Sequence, residues 1–122
     1  MRVAKIRLRK PSRVFTIKTS EDLQLERRQA CIVRSERGLE YGICVLAPEE
    51  MDGEVSCEPD MSIIRKATVN DGTTYQKVIQ EQAEFMGVCA KKIAERNLPM
   101  KLVDAELTFD RRKIVFFFTA EE

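Results

Sequence analysis

Apolar and polar side chains alternate along the first third of the chain. Val3-Ala4-Lys5-Ile6-Arg7-Leu8-Arg9 sets apolar residues between basic ones, as a half-exposed strand requires. Lys10-Pro11-Ser12 turns the chain, and Arg13-Val14-Phe15-Thr16-Ile17-Lys18 reads as a second strand. After the polar stretch Thr19-Ser20-Glu21-Asp22, a hairpin is expected with arms 29–35 and 39–47 around Glu36-Arg37-Gly38. A three-residue loop ending in glycine suits a left-handed residue and a bulge. It sets Ser35 opposite Leu39, Arg34 opposite Glu40, Val33 opposite Tyr41 and Cys31 opposite Ile43. One face then collects Cys31, Val33, Leu39, Tyr41, Ile43 and Val45, whereas a two-residue loop mixes the faces. In this register Cys31 and Cys44 point to opposite faces. Short strands and tight turns up to about residue 66 suggest a small SH3-like antiparallel β-barrel.

The period then changes. Tyr75, Val78, Ile79, Ala83, Met86, Cys89, Ala90, Ile93 and Ala94 recur at spacings of three and four, one stripe of a helix over 73–96. Phe85 and Val88 beside the stripe widen it, and such a face belongs to a core. Thr73 with Gln76 resembles a capping box, and Thr68 with Asp71 offers an earlier start that Gly72 weakens. Asn97 suits a left-handed cap, and Pro99 ends the helix. A last hairpin runs from Lys101 to Phe109, turns at Asp110-Arg111-Arg112, and returns from Lys113 to Thr119. Ile114-Val115-Phe116-Phe117-Phe118 is apolar on both faces, with Val115 and Phe117 opposite Ile114, Phe116 and Phe118. Such a strand needs cover on both sides, and one helix supplies only one. Val115 and Phe117 are therefore the candidate face for self-association, for a partner, or for a continuation of the chain beyond Glu122. The expected fold is α+β: a β-barrel-like unit over 1–66, then a helix and hairpin unit over 67–122 that is expected to be cut short.

Charge sharpens this picture. The 122 residues carry 21 basic and 20 acidic side chains, a net +1, but the two signs are segregated. Residues 1–18 hold Arg2, Lys5, Arg7, Arg9, Lys10, Arg13 and Lys18 and no acid, while 47–60, read as a surface loop, hold six acids and no base. A basic edge can meet phosphate and an acidic loop a basic protein, and the same pattern also describes two solvated faces. Candidate RNA- or partner-binding side chains are Arg7, Arg9 and Lys10, Arg37 at the hairpin tip, and Arg65 and Lys66 before the helix. Phosphate contacts need such cations, but no aromatic-interleaved basic motif accompanies them, and Tyr41 and Phe15 read as core.

Little in the chain points to catalysis. Histidine is absent, which removes every histidine base and histidine ligand from this chain. Asp104 and Glu106 share a strand face, as paired carboxylates would, but they also fit solvent-facing positions with Val103, Ala105 and Leu107 turned inward. No phosphate-cradling glycine loop and no nucleophile–base set stands out, so no catalytic residue is assigned and a non-enzymatic chain is expected. Cys31, Cys44, Cys57 and Cys89 contain no C-x-x-C pair, so neither a metal site nor a cofactor is expected, and buried thiols are the default. No apolar run approaches the roughly 20 residues of a bilayer span, and a cytoplasmic location is expected.

Four stretches carry a resemblance. They are Glu36-Arg37-Gly38-Leu39-Glu40-Tyr41-Gly42, Ile64-Arg65-Lys66-Ala67-Thr68, Leu98 to Glu106, and Thr108-Phe109-Asp110 with Lys113-Ile114 and Phe116 to Ala120. In this order the chain resembles the PSP-one C-terminal domain family, in its bacterial YaaT/RicT-like branch. The resemblance implies an adaptor in RNA processing and mRNA maturation, linked to sporulation, with small helical RicA- and RicF-like partners and ribonuclease machinery. Direct RNA binding through the basic first strand is the alternative. RicT-like relatives use cysteines in a segment beyond this domain for iron–sulfur clusters. The four cysteines here do not match them, so that function is not carried over. The resemblance also implies that the same further segment adds a helix and a strand, so that the helix and hairpin over 67–122 form a partial ferredoxin-like half.

Overall fold

A computed structural model describes residues 1–9 and 12–120. The elements follow in the order β1 (Arg2–Leu8), β2 (Arg13–Lys18), β3 (Ala30–Ser35), β4 (Gly38–Glu50), β5 (Ser62–Lys66), α1 (Val69–Glu95), β6 (Met100–Leu107) and β7 (Ile114–Ala120). The first five strands form one antiparallel sheet in the order β2-β1-β4-β3-β5, and β6 and β7 form a separate hairpin.

Alternation in β1 does what its pattern predicts. Ala4, Ile6 and Leu8 are buried, and Lys5 and Arg7 are exposed between them. With Phe15, Ile17, Leu25, Cys31, Val33, Cys44 and Met61 they make the main core on one face of the sheet. The edge strands β2 and β5 approach each other. Among the described residues no ladder joins them, so the sheet does not close, and the expected barrel becomes an open five-stranded sheet.

The central hairpin corrects the expected register. Ser35 lies opposite Gly38, Arg34 opposite Leu39, Val33 opposite Glu40 and Cys31 opposite Gly42, so the loop has two residues, Glu36 and Arg37. Gly38, at φ +124°, opens β4 rather than closing the loop. The expected register assumed one wet face. Here both faces are covered: Cys31 and Val33 enter the main core, while Ile32 is buried outside it, as are Val78 of α1 and Ala105 of β6. Cys31 and Cys44 consequently share the main core, as free thiols.

The long helix begins at the earlier of its two candidate starts. The Thr68 hydroxyl accepts the Asp71 N–H at 3.1 Å, and the Asp71 carboxylate accepts the Thr68 N–H at 2.8 Å, a reciprocal capping box. The Asp71 side chain also holds Arg65, a long-range reason to prefer this start. At the other end Asn97 adopts φ +49°, its N–H bonds to Ala94 O and that of Leu98 bonds to Ile93 O, which completes a Schellman cap. The stripe is less buried than expected: Val78 is its one buried apolar position, and Phe85, Val88, Ala83, Ala90 and Ala94 are exposed.

Two further expectations change. The acidic stretch does not begin as a loop, because β4 extends through Glu50. Val103 sits at a register shift in β6 and is 53% exposed rather than turned inward, although Ala105 is fully buried as expected. The helix–hairpin part is tied to the sheet by the Phe109 N–H, which donates to Leu39 O at 2.7 Å, and by Tyr75, which stacks on Tyr41.

Candidate functional site

Where α1 and the turn of the last hairpin lie against β4, a cleft of about 280 Å³ remains. Its wall includes Arg7, Arg9, Glu40, Tyr41, Tyr75, Gln82 and Glu106. The rings of Tyr41 and Tyr75 stack at 4.1 Å between centroids and 12° between planes, and Phe109 lies 6.1 Å from Tyr41 on a further stacked contact. Both residues read as core in the sequence. What the sequence does not reveal is that an aromatic of the helix stripe meets one of the hairpin, because no local period links residues 41 and 75. Burial, with Tyr41 and the Glu106 carboxylate nearby, pushes the Tyr75 hydroxyl pKa up.

The candidate cations divide into two sets. Arg9 follows β1 with φ +71° and only 7% of its side chain exposed. Its Nε donates to Glu40 Oε1 at 3.0 Å and its Nη2 to Glu36 Oε1 at 2.7 Å, and the guanidinium lies 4.8 Å from the Phe15 ring centroid. Burial works against this charge, yet the carboxylates of Glu40 and Glu36 outweigh it and raise the Arg9 pKa. Arg37, at the hairpin tip, reaches across to Glu106 of β6 and lies 5.5 Å from the Phe117 ring centroid. Arg65 binds the Asp71 carboxylate bidentately. That hydrogen bond, against the burial of the carboxyl and with help from Thr68, holds Asp71 well below the usual carboxylate range. Three of the six are thus neutralised inside the chain.

Arg7 and Lys66 are exposed and make no ion pair among the described residues. Lys10 lies outside the described residues. Among the described residues, then, three of these candidates are paired and only Arg7 and Lys66 are exposed without an ion pair.

The carboxylates fare similarly. Glu106 does not face solvent freely as its alternation suggested: its side chain is 13% exposed and bound to Arg37. Asp104 Oδ1 accepts the backbone N–H of Ala105 at 2.8 Å. Val115 and Phe117 of β7 lie opposite Glu106 and Asp104 in the ladder and are half-buried, with Arg37 over the Phe117 ring. Phe118 remains 42% exposed. Gln82, unremarkable in sequence, reaches from α1 to the backbone N–H of Leu107 at 2.9 Å. Among the described residues no group of three or more cysteine or acidic side chains gathers as metal ligands. Nor is any helix long and apolar enough to cross a membrane.

The cleft joins an aromatic stack to compensated charges, an arrangement that locks two parts of the chain together. Comparison with known proteins places this architecture. Residues 61–122, which cover β5, α1 and the hairpin, match the PSP1 C-terminal conserved region. Over 116 residues, 95% of this chain, the sequence is 34% identical to the Stage 0 sporulation protein YaaT of Bacillus subtilis, of which it spans 42%. Over 60 residues it is 33% identical to 8% of an uncharacterized protein of Schizosaccharomyces pombe. No solved structure matches. With half the chain covered by the family's conserved region and nearly all of it aligned to one bacterial relative, the protein belongs to the PSP1 C-terminal domain family.

Proposed function

We propose that this chain is a non-catalytic adaptor of the YaaT-like kind, which regulates through protein contacts and acts in RNA processing and mRNA maturation in the cytoplasm. The observation that carries the reading is the internal neutralisation of Arg9, Arg37 and Arg65. A phosphate backbone is bound by cations that release counterions, and side chains held by Glu36, Glu40, Glu106 and Asp71 have exchanged that capacity for an ion pair. Base stacking is served no better, because Tyr41 and Tyr75 stack on each other. The name of the Bacillus subtilis relative adds support for a regulatory role. Small helical proteins of the RicA and RicF type and the ribonuclease machinery are the partners that fit.

The test is affinity capture of the tagged chain from host lysate, with and without ribonuclease, read by mass spectrometry. Protein partners that survive the nuclease are the expected result. Recovery only without nuclease would overturn the adaptor reading in favour of RNA binding. An Arg7→Ala/Lys66→Ala variant would then locate that binding, because both side chains are exposed.

A further inference from the structure

The face of the sheet turned away from the main core is covered unevenly. Over β3 and the start of β4 it packs under other elements, where Ile32 is buried and Tyr41 meets Tyr75 of α1. Beside them, side chains of the same face reach solvent. The ladders set Val14, Arg7, Ile43 and Ala30 in one row across four strands, on the side away from Ile6, Phe15 and Cys44 of the main core. Val14 is 49% and Ile43 36% exposed, and Arg7 between them is exposed as well. The next row adds Lys5, also exposed, between Thr16 and Leu46. An acid enters only in the row after that, where Glu49 stands opposite Val3. Arg7 and Lys5 make no ion pair among the described residues. The cleft beside Tyr75 continues this face, because Arg7 and Ile43 also line it. Its two carboxylates are already spent, Glu40 on Arg9 and Glu106 on Arg37, so they do not oppose the cations of the open rows.

We propose that these rows and the adjoining cleft form a docking groove for an amphipathic helix of a partner protein, one that carries aliphatic side chains between glutamates or aspartates. The groove presupposes the adaptor role proposed above and gives its partner a chemistry. Two observations select this occupant. First, β1 and β4 are interior strands, so their backbone groups are used in the ladders and a further strand has nothing to pair with there. Only side chains are on offer, as in the docking of a helix into a groove. Second, the offer is both aliphatic and cationic. Val14 and Ile43 receive apolar anchors, and Arg7 and Lys5 meet the carboxylates around them. A nucleic acid would use the same two cations but gain little from exposed valine and isoleucine. Nor do the two rows hold an aromatic ring on which a base could stack.

The test is fluorescence anisotropy of the 122-residue chain with three labelled peptides of equal length. The first has leucine at i, i+3, i+4 and i+7 with glutamate between. The second replaces each glutamate by lysine, and the third keeps the glutamates and replaces each leucine by serine. The first peptide is expected to bind, more weakly as salt is raised, and the other two about tenfold more weakly or worse. K5E/R7E, checked for folding by circular dichroism, should lose about tenfold for the first peptide and gain for the second, a reversal that damage to the fold would not produce. Amide shifts of the labelled chain on binding should centre on Arg7, Val14 and Ile43. Failure of the first peptide to bind, binding indifferent to the charge reversal, or shifts centred elsewhere would overturn the proposal. So would a single-stranded RNA oligonucleotide that binds the same residues more tightly than the first peptide, which would give the face to nucleic acid. Nuclease-resistant protein partners captured from lysate equally by wild type and K5E/R7E would overturn the groove but leave the adaptor role intact.

Discussion

Gly42 tests the packing of the sheet more sharply than any deletion of a large residue. It is buried on β4 opposite Cys31, beside β1. Its φ does not lie in the left-handed region, so alanine fits the backbone and the effect of Gly42→Ala is steric. An added Cβ would stand 2.5 Å from Leu8 Cδ2, 2.6 Å from Ile6 Cγ2 and 3.2 Å from the Arg7 carbonyl oxygen. Carbon atoms prefer about 3.5–4.0 Å, so two methyl groups must each retreat by roughly 1 Å. Both belong to the main core, and Ile6 is β-branched with a stiff χ1, so neither has a free direction to move. Overpacking of this kind costs about 1–3 kcal/mol, offset by about 0.4–1 kcal/mol from the lower entropy of the unfolded alanine chain. The net expectation is a loss of about 1–2 kcal/mol, or roughly 4–8 °C in Tm for a chain of this size. Urea unfolding with an unchanged m-value measures it. Gly87→Ala is the paired control: it sits on α1 with nothing within 4 Å of its added Cβ. It should stabilise by about 0.5–1 kcal/mol through helix propensity alone. A Gly42→Ala variant as stable as the wild type would refute the packing of β4 against β1.

Arg37→Ala should cost about 1–2 kcal/mol, since it removes the Glu106 ion pair and the contact with Phe117 together; a double-mutant cycle with Glu106→Gln should leave a coupling near 1 kcal/mol, and a coupling near zero would show that the pair does not hold the hairpin tip to β6. The depressed pKa of Asp71 stabilises the fold fully above the ordinary carboxylate range, and that contribution disappears as pH falls through the lower folded value. The stability gap between wild type and Asp71→Asn should therefore be constant near neutrality and shrink below about pH 4, as urea unfolding at several pH values would measure. Burial, with Cys44 nearby, pushes the Cys31 thiol up to about 12. A thiol reagent at mild alkaline pH should accordingly label Cys57 and Cys89 in the native chain, and reach Cys31 and Cys44 only after denaturation.

Much of the architecture is written in local pattern. The alternation of Ala4, Ile6 and Leu8 with Lys5 and Arg7 identifies β1, and the spacing from Tyr75 to Ile93 identifies α1. The Asn97–Pro99 stop ends that helix where it stands, because caps depend on a few neighbouring residues. The helix start was harder. Gly72 speaks locally for Thr73, but Arg65 reaches Asp71 and Thr68 becomes the cap.

The candidate site was legible residue by residue and not as a constellation. Charge type and sequence position mark Arg9, Arg37 and Arg65 as cations. Their destinations, at Glu36 and Glu40, at Glu106, and at Asp71, span separations of up to 69 residues. Local periodicity carries no information about partners that far apart, and an arginine that binds a carboxylate in the chain looks the same in sequence as one that awaits a phosphate.

The register of the central hairpin shows the same division. Composition and glycine placement predicted the turn, but a one-residue difference in loop length depends on what covers each face. Only the packing of α1 and the last hairpin against the far side of β3 and β4 makes Ile32 an interior residue, and with it the two-residue loop. Periodicity is a property of neighbours, so the sequence alone carries the elements of this protein. Burial is a property of distant segments brought together, and it decides which faces are wet and which charges are spent within the chain.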